Sequence, residues 1–394
     1  MSIHLEKILF VLLTYRSSEK KINYLHNIYI RLKNKYTNAV HWNQGWTPWT
    51  GSETSQDKKL SVSIERRLEI MRKVIIDCDP GIDDTLALLF ALKSPEIEVV
   101  AITTVCGNVP VHLGTENVIR CLERCDRLDI PVYQGSATPL NTQFISAQDT
   151  HGMDGLGETN FPLVSDKQAE TIHAVDFLAN YFAEKQDTSL IALGPLTNVA
   201  SALQKNPRIG NQMDRFVSMG GTYKSHGNCS PVAEYNYWCD PDAAAYVFEH
   251  LGQMIEMVGL DVTREIVFTP TILEYCCQLA PQEGNYLKAI TRFYYDFHWQ
   301  QERILGCVIN DPLAVAYFID EQLCQGFTSY TAVETQGISR GQTLVDRHDF
   351  WQKKPNSLIM TDVDTSLFFR KFLAVLLNAQ EELIKKDLER LKMG

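Results

Sequence analysis

The sequence predicts an α/β fold: a single domain with a mainly parallel central sheet flanked by helices. Three observations predict it. Short continuous apolar runs, the first at residues 74–76, suit strands buried at the centre of a parallel sheet. Segments with helical spacing alternate with these runs from Met71 onward, which implies right-handed βαβ crossovers. Polar or glycine-rich residues follow strand after strand, as expected where ligands bind beyond the carboxyl ends of an open sheet.

Taken in order, residues 74–76 form the first strand and 83–93 follow with helical periodicity. Residues 99–105 are the second strand, 111–125 a helix and 132–133 a short strand. Residues 190–193 are a strand running through Gly194-Pro195 into a helix that begins near Thr197. Strands follow at 216–219 and 255–260. Residues 329–335 and 342–346 read as a hairpin-like excursion, and 366–391 as one long terminal helix. No internal repeat or low-complexity tract interrupts this body, so residues 71–394 are one domain. Residues 1–70 lack the alternation. They read as a basic, partly disordered N-terminal extension with one or two short helices, for example over 22–32.

Charge separates the same two regions. Residues 1–72 hold 12 Lys/Arg against 6 Asp/Glu, while the rest of the chain holds 25 against 42. An acidic body argues against binding a nucleic-acid backbone, which needs a basic face. It suits cations or a neutral, polyhydroxylated substrate. The 10 cysteines show no C-x-x-C pair, so they read as buried thiols in a reducing, cytoplasmic setting and not as a disulfide or zinc framework. No apolar run has the length of a membrane span. The run at residues 8–13 imitates a signal-peptide core but lacks a small-x-small cleavage site before Arg16.

The chemistry concentrates after the first strand, in Asp77-Cys78-Asp79-Pro80-Gly81-Ile82-Asp83-Asp84. Four carboxylates in eight residues repel one another unless protons or a cation compensate them. Pro80-Gly81 turns the chain sharply, so Asp83 and Asp84 enter the first helical turn, where the helix N-terminus favours negative charge. All-oxygen ligands without a nearby His or Cys favour calcium or magnesium over zinc. The bland alternative, an N-capping cluster on a solvated loop, seldom needs four acids. A later acid, Asp311, opens another helix before Pro312 and by itself reads as an ordinary N-cap.

These residues resemble the signature of the inosine-uridine-preferring nucleoside hydrolase family. The resemblance continues through Ile102-Thr103-Thr104-Val105-Cys106-Gly107-Asn108, His151-Gly152-Met153-Asp154-Gly155 and Gly194-Pro195-Leu196-Thr197-Asn198. It then runs through Met219-Gly220-Gly221, the stretch from Gly227 to Asn236, Asp240-Pro241-Asp242, Gly259-Leu260-Asp261-Val262-Thr263 and Asp311-Pro312. It implies the family's Rossmann-like fold and hydrolysis of a ribonucleoside to free base and ribose, within ribonucleoside catabolism and purine salvage. It also implies a homo-oligomer, dimer or tetramer.

By position, the resemblance implies a calcium ion held by Asp79, Asp84, the Leu193 carbonyl and Asp311, with Asp77 behind. Asp79 would be the general base taking a proton from the metal-bound water. Asp83, Asn108, Asn228, Glu234, Asn236 and Asp311 match positions that grip ribose hydroxyls, and Met219 one that lines the sugar pocket. The chemistry agrees: an oxocarbenium-like transition state is stabilised by nearby carboxylates and fixed bonds to the sugar. Several of these residues have plainer readings. Glu234 and Asn236 suit loop caps, Asn108 a turn and Met219 the core. Asp242 and Asp261 read as structural, and His151 as part of a mobile flap or an idle surface loop.

One position departs from the family. Many members carry His before the last calcium-binding Asp, where it is thought to protonate the leaving base; here it is Asn310, which cannot act as an acid near neutral pH. His298, in an aromatic-rich helical segment, is the candidate replacement. Stacking of the base on Tyr294 or Trp299, or a water chain, is the alternative, and plain core packing of that helix is the bland reading. Two rival functions are a magnesium-dependent phosphatase, which also opens Asp-x-Asp but needs a Lys and a further Asp pair, and a binding relative that has lost turnover.

Overall fold

The computed structural model describes residues 71–391. The N-terminal extension expected over 1–70 lies outside the described residues. Strands β1 (Arg72–Cys78), β2 (Ile97–Thr104), β3 (Val132–Gln134), β4 (Thr188–Ala192), β5 (Phe216–Met219) and β6 (Ile255–Val258) are followed by two short strands, β7 (Val267–Phe268) and β8 (Cys307–Val308). Then come β9 (Cys324–Ser329), β10 (Thr331–Val333), β11 (Thr343–Val345) and β12 (Ser357–Val363). Eight of them form one sheet in the order β3-β2-β1-β4-β5-β6-β12-β9. Every pairing in it is parallel except that of β9 with β12.

The pleat explains why the strands read as continuous apolar runs. Val74 and Ile76 of β1 pack on one face of the sheet and Ile75 on the other, each against its own helical layer. The first face is covered by helices Ile82–Lys93, Asp311–Ile319 and Thr365–Leu376. The second is covered by Ala174–Glu184, Thr197–Lys205 and Pro241–His250. Residues 82–92 are buried all round, so this helix shows apolar residues on every side.

The six predicted strands through β6 are present, with ends shifted by a few residues, and the hairpin-like excursion is the antiparallel pair β10–β11. The sequence reading missed β12, which joins the sheet between β6 and the antiparallel edge. It also ran the C-terminus as one helix. The structure has two, Thr365–Leu376 and Glu381–Leu391. Asn378 between them adopts a left-handed φ of 50°, and the Ala379 N–H reaches back to the Ala374 carbonyl at 2.9 Å. That 6→1 bond is a Schellman stop, with Asn in the role glycine usually takes.

Candidate active site

The β1 end delivers its acids into the interior. Asp77, Asp79 and Asp84 are fully buried, and Asp83 and Asp311 nearly so. Asp84 anchors the turn: its carboxylate accepts the Asp79 N–H at 3.2 Å, the Gly81 N–H at 3.1 Å and Asn108 Nδ2 at 2.8 Å. Asp79 accepts the Asn108 N–H at 2.6 Å through Oδ2. Its other oxygen, Oδ1, is buried without a protein partner. Two glycines explain how a carboxylate fits so tightly between strand ends. A Cβ on Gly107 would sit 1.9 Å from Asp79 Oδ2, and one on Gly194 would sit 2.4 Å from Oδ1. Asp77 lies behind, accepting from the Thr103 hydroxyl and from Asn198 Nδ2.

Asp83, Asp84 and Asp311 offer oxygens that all lie within 4.8 Å of one another. Burial and then the charge of Asp83 push Asp84 up to about 7. Burial, followed by repulsion from Asp84, holds Asp79 and Asp311 well above the usual carboxylate range. A buried, all-oxygen cluster with an unpartnered acceptor at Asp79 Oδ1 fits a hard divalent cation, whose charge would reverse these shifts. Of the ligand set implied by resemblance, the structure brings two carboxylates together. Asp84 and Asp311 meet, with Asp83 rather than Asp79 as the third member; Asp79 is tied to Asp84 by its backbone N–H. The Leu193 carbonyl stands at the cavity wall and accepts Asn236 Nδ2 at 2.7 Å.

Above the acids lies a cavity of about 500 Å³. All the residues expected to touch substrate line it: Asp83, Asn108, Met219, Asn228, Glu234, Asn236, Tyr294 and Asp311, together with His298. Glu234 caps the short helix Tyr235–Cys239, accepting the Asn236 N–H at 2.7 Å and the Tyr237 N–H at 3.2 Å, and also takes the Gly221 N–H at 2.9 Å. The capping reading is therefore correct, and it still leaves the carboxyl at the cavity. Burial raises its pKa to about 7. Asn228 Oδ1 accepts the Tyr235 N–H at 2.9 Å, so one helical entry orients three polar residues. Asp261 is structural as expected: its carboxylate takes the N–H groups of Tyr223, Lys224 and Ser225 at 2.6, 2.7 and 3.0 Å. It thereby holds the loop leading to Asn228.

The base side is built by helix Pro281–Glu302. Tyr294 donates to Asp83 Oδ2 at 3.3 Å. His298 is buried, and its Nδ1 faces the Tyr294 carbonyl at 3.0 Å. A carbonyl only accepts, so Nδ1 carries the proton and Nε2 of the neutral ring is an acceptor. Burial lowers the pKa of His298. Trp299 is 45% exposed and off the cavity wall, which belongs to Phe297 and His298 instead; successive helix residues point about 100° apart. His151 is neither an idle surface residue nor on a free flap. It is buried, its Nδ1 accepts the Ile82 N–H at 3.1 Å, and its ring lies 5.1 Å from that of Tyr294.

The sequence reading missed the outer wall. Arg264 donates to Glu302 at 2.6 Å and to the Gly227 carbonyl at 3.1 Å, with His226 beside it. The available signal was adjacency: His226 precedes the Gly227-Asn228 stretch and Arg264 follows Val262-Thr263. Their meeting is tertiary.

A parallel α/β sheet with an acid-floored, ligand-sized cavity at its carboxyl ends defines a class of ligand-binding enzymes rather than one reaction. Comparison with known proteins narrows it. Residues 74–370 match the model of the inosine-uridine preferring nucleoside hydrolase family. A probable uridine nucleosidase of Oryza sativa is 34% identical over 70% of this chain and 85% of its own length. The pyrimidine-specific ribonucleoside hydrolase RihA of Salmonella typhimurium is 36% identical over 75% and 95%, respectively. Among solved structures, a plant nucleoside hydrolase superposes with a TM-score of 0.74 at 34% identity, covering 78% of this chain and 99% of that one. A purine-preferring ribonucleoside hydrolase from Gardnerella vaginalis gives 0.73 at 32% identity, covering 80% and 99%. The chain belongs to the inosine-uridine preferring nucleoside hydrolase family and is a nucleoside hydrolase.

Proposed function

We propose that the chain hydrolyses the N-glycosidic bond of pyrimidine ribonucleosides, uridine first, with calcium in its acid cluster and Asp79 as general base. The observation that carries this reading is the buried trio Asp83, Asp84 and Asp311, whose oxygens lie within 4.8 Å of one another, with Asp83 and Asp311 reaching the cavity that Asn228, Glu234 and Asn236 wall. Names of relatives that act on uridine and pyrimidine ribonucleosides support the base preference. Asp79, Asp84, Asp311 and the Leu193 carbonyl would hold the cation. When bound, it lowers the pKa of a water and orients it.

The remaining work falls to side chains. Asp79, raised by burial, takes the proton of the attacking water. Asp83, Asn108, Asn228, Glu234, Asn236 and Asp311 hold the sugar hydroxyls, and Met219 bounds the sugar on its apolar side. Fixed hydrogen bonds and carboxylates then stabilise the positive charge developing on the ribose. The base departs toward Tyr294 and His298, and His298 Nε2, once protonated, supplies the leaving-group proton.

Steady-state release of base from uridine, cytidine, inosine, adenosine and guanosine, with and without chelator, tests this. Uridine is expected to lead, and chelation to abolish turnover reversibly. Tight nucleoside binding without ribose release would replace the reading with that of a binding relative. Chelator-resistant turnover would remove the cation from it.

A further inference from the structure

Asn310 has a task that its inability to act as an acid does not reveal. Its backbone N–H lies 3.3 Å from Asp83 Oδ2 and its Nδ2 lies 3.1 Å from the same oxygen. The Tyr294 hydroxyl donates there too, at 3.3 Å. Three donors thus converge on one carboxylate oxygen, and the other, Oδ1, is buried without a partner. His151 Nδ1 stands 3.9 Å from that Oδ1. It is already accepting the Ile82 N–H, however, so the neutral ring offers Asp83 no donor through this nitrogen.

A carboxylate on an Asp side chain turns easily, because its terminal torsion is broad. The three donors remove that freedom. They hold Oδ2 against the wall, and Oδ1 is left as the carboxylate's own free acceptor. The amide of Asn310 is itself fixed by this contact, since its opposite orientation would set a carbonyl oxygen against the carboxylate. Both residues line the cavity.

We propose that Asn310 is a positioning residue that sets sugar specificity: it locks Asp83 so that the free Oδ1 receives one particular ribose hydroxyl. The enzyme then discriminates against the analogue lacking that hydroxyl, because a buried acceptor built for a donor is left unpaired without it. This rests on the assignment of Asp83 to the sugar, and the experiment separates the two.

The test measures kcat/KM for the ribonucleoside cleaved fastest and for its 2′-deoxy and 3′-deoxy forms. The enzymes are the wild type, Asp83→Ala, Asn310→Ala and Asn310→Asp, with thermal melts to establish folding. Asp83→Ala is expected to be severe on the parent nucleoside and nearly harmless on one deoxy form, which identifies the hydroxyl. Asn310→Ala is expected to lose about 10- to 100-fold on the parent, the size of a lost bond to a charged group. On that same deoxy form it loses less than about threefold. Asn310→Asp keeps the volume but turns a donor into a second carboxylate, and is expected to lose at least as much. It decides the matter if the alanine variant does not fold. A penalty for Asp83→Ala that is equal on all three substrates overturns the sugar assignment and this inference with it. A selective penalty for Asp83→Ala, with uniform or absent penalties for the Asn310 variants, overturns the inference alone.

Discussion

Stripping the divalent cation from the acid cluster leaves three buried carboxylates, those of Asp83, Asp84 and Asp311, with oxygens within 4.8 Å. At that separation and an effective dielectric of about 20, each charged pair repels by about 3 kcal/mol. The protein's recourse is to hold protons, and Asp84 accordingly rises from 3.8 to about 7. Because the folded pKa is the higher one, the folded state binds the extra proton. Its stabilisation is complete below pH 3.8 and is lost as pH climbs to about 7. The span of about 3 units corresponds to about 4 kcal/mol for Asp84, of the same size as one charged pair. A cation replaces the proton, so its benefit grows over the same window.

Denaturant unfolding at half-unit steps from pH 4.5 to 8, in chelator and in millimolar calcium, measures this. In chelator, stability is expected to decline between pH 4.5 and 8 by about 3 kcal/mol from this group, the rest having been lost below pH 4.5. In calcium the decline should be largely cancelled. Asp311→Asn removes one charge, so in chelator near pH 8 it should be more stable than the wild type while responding little to calcium. A calcium-induced gain of the same size at pH 4.5 and pH 8 would refute the cluster as the cation site.

Three further outcomes are expected. Asp79→Asn should reduce turnover at least about 100-fold, the lower end of the range for a lost general base, while KM moves little; unchanged turnover rejects the base assignment. His298→Ala should slow release of uracil far more than release of nitrophenol from a nitrophenyl riboside. Since burial lowers the pKa of His298, wild-type cleavage of the poorer leaving group should accelerate as pH falls below 6.5, and the variant should lack that limb; equal losses on both substrates exclude His298 as the acid. Asp261→Ala strands three loop N–H groups and should cost about 2–3 kcal/mol in denaturant unfolding with a raised KM. An unchanged KM would show that the loop does not need this anchor to present Asn228.

The alternation of strand and helix through β6, the acid-rich turn after β1 and the family are all legible in the order of residues. Those features are local: an apolar run, a Pro-Gly turn and carboxylates at a helix start declare themselves within ten residues. The errors of the sequence reading were local as well. Asn378 in a left-handed stop looks like any helical Asn until the Ala379 N–H is seen to bond back. Strand β12 is internal to the sheet only because β6 and β9 flank it. Tertiary structure decided what happens between residues more than two hundred apart. Asp83 meets Tyr294 and Asn310, which makes Asn310 a holder of a carboxylate instead of a vacant acid. The packing of helix Pro281–Glu302 likewise settles that His298 faces the cavity while Trp299 is turned to solvent. Sequence spacing cannot supply such facts, because hydrogen bonds act over about 3 Å in space and are indifferent to separation along the chain.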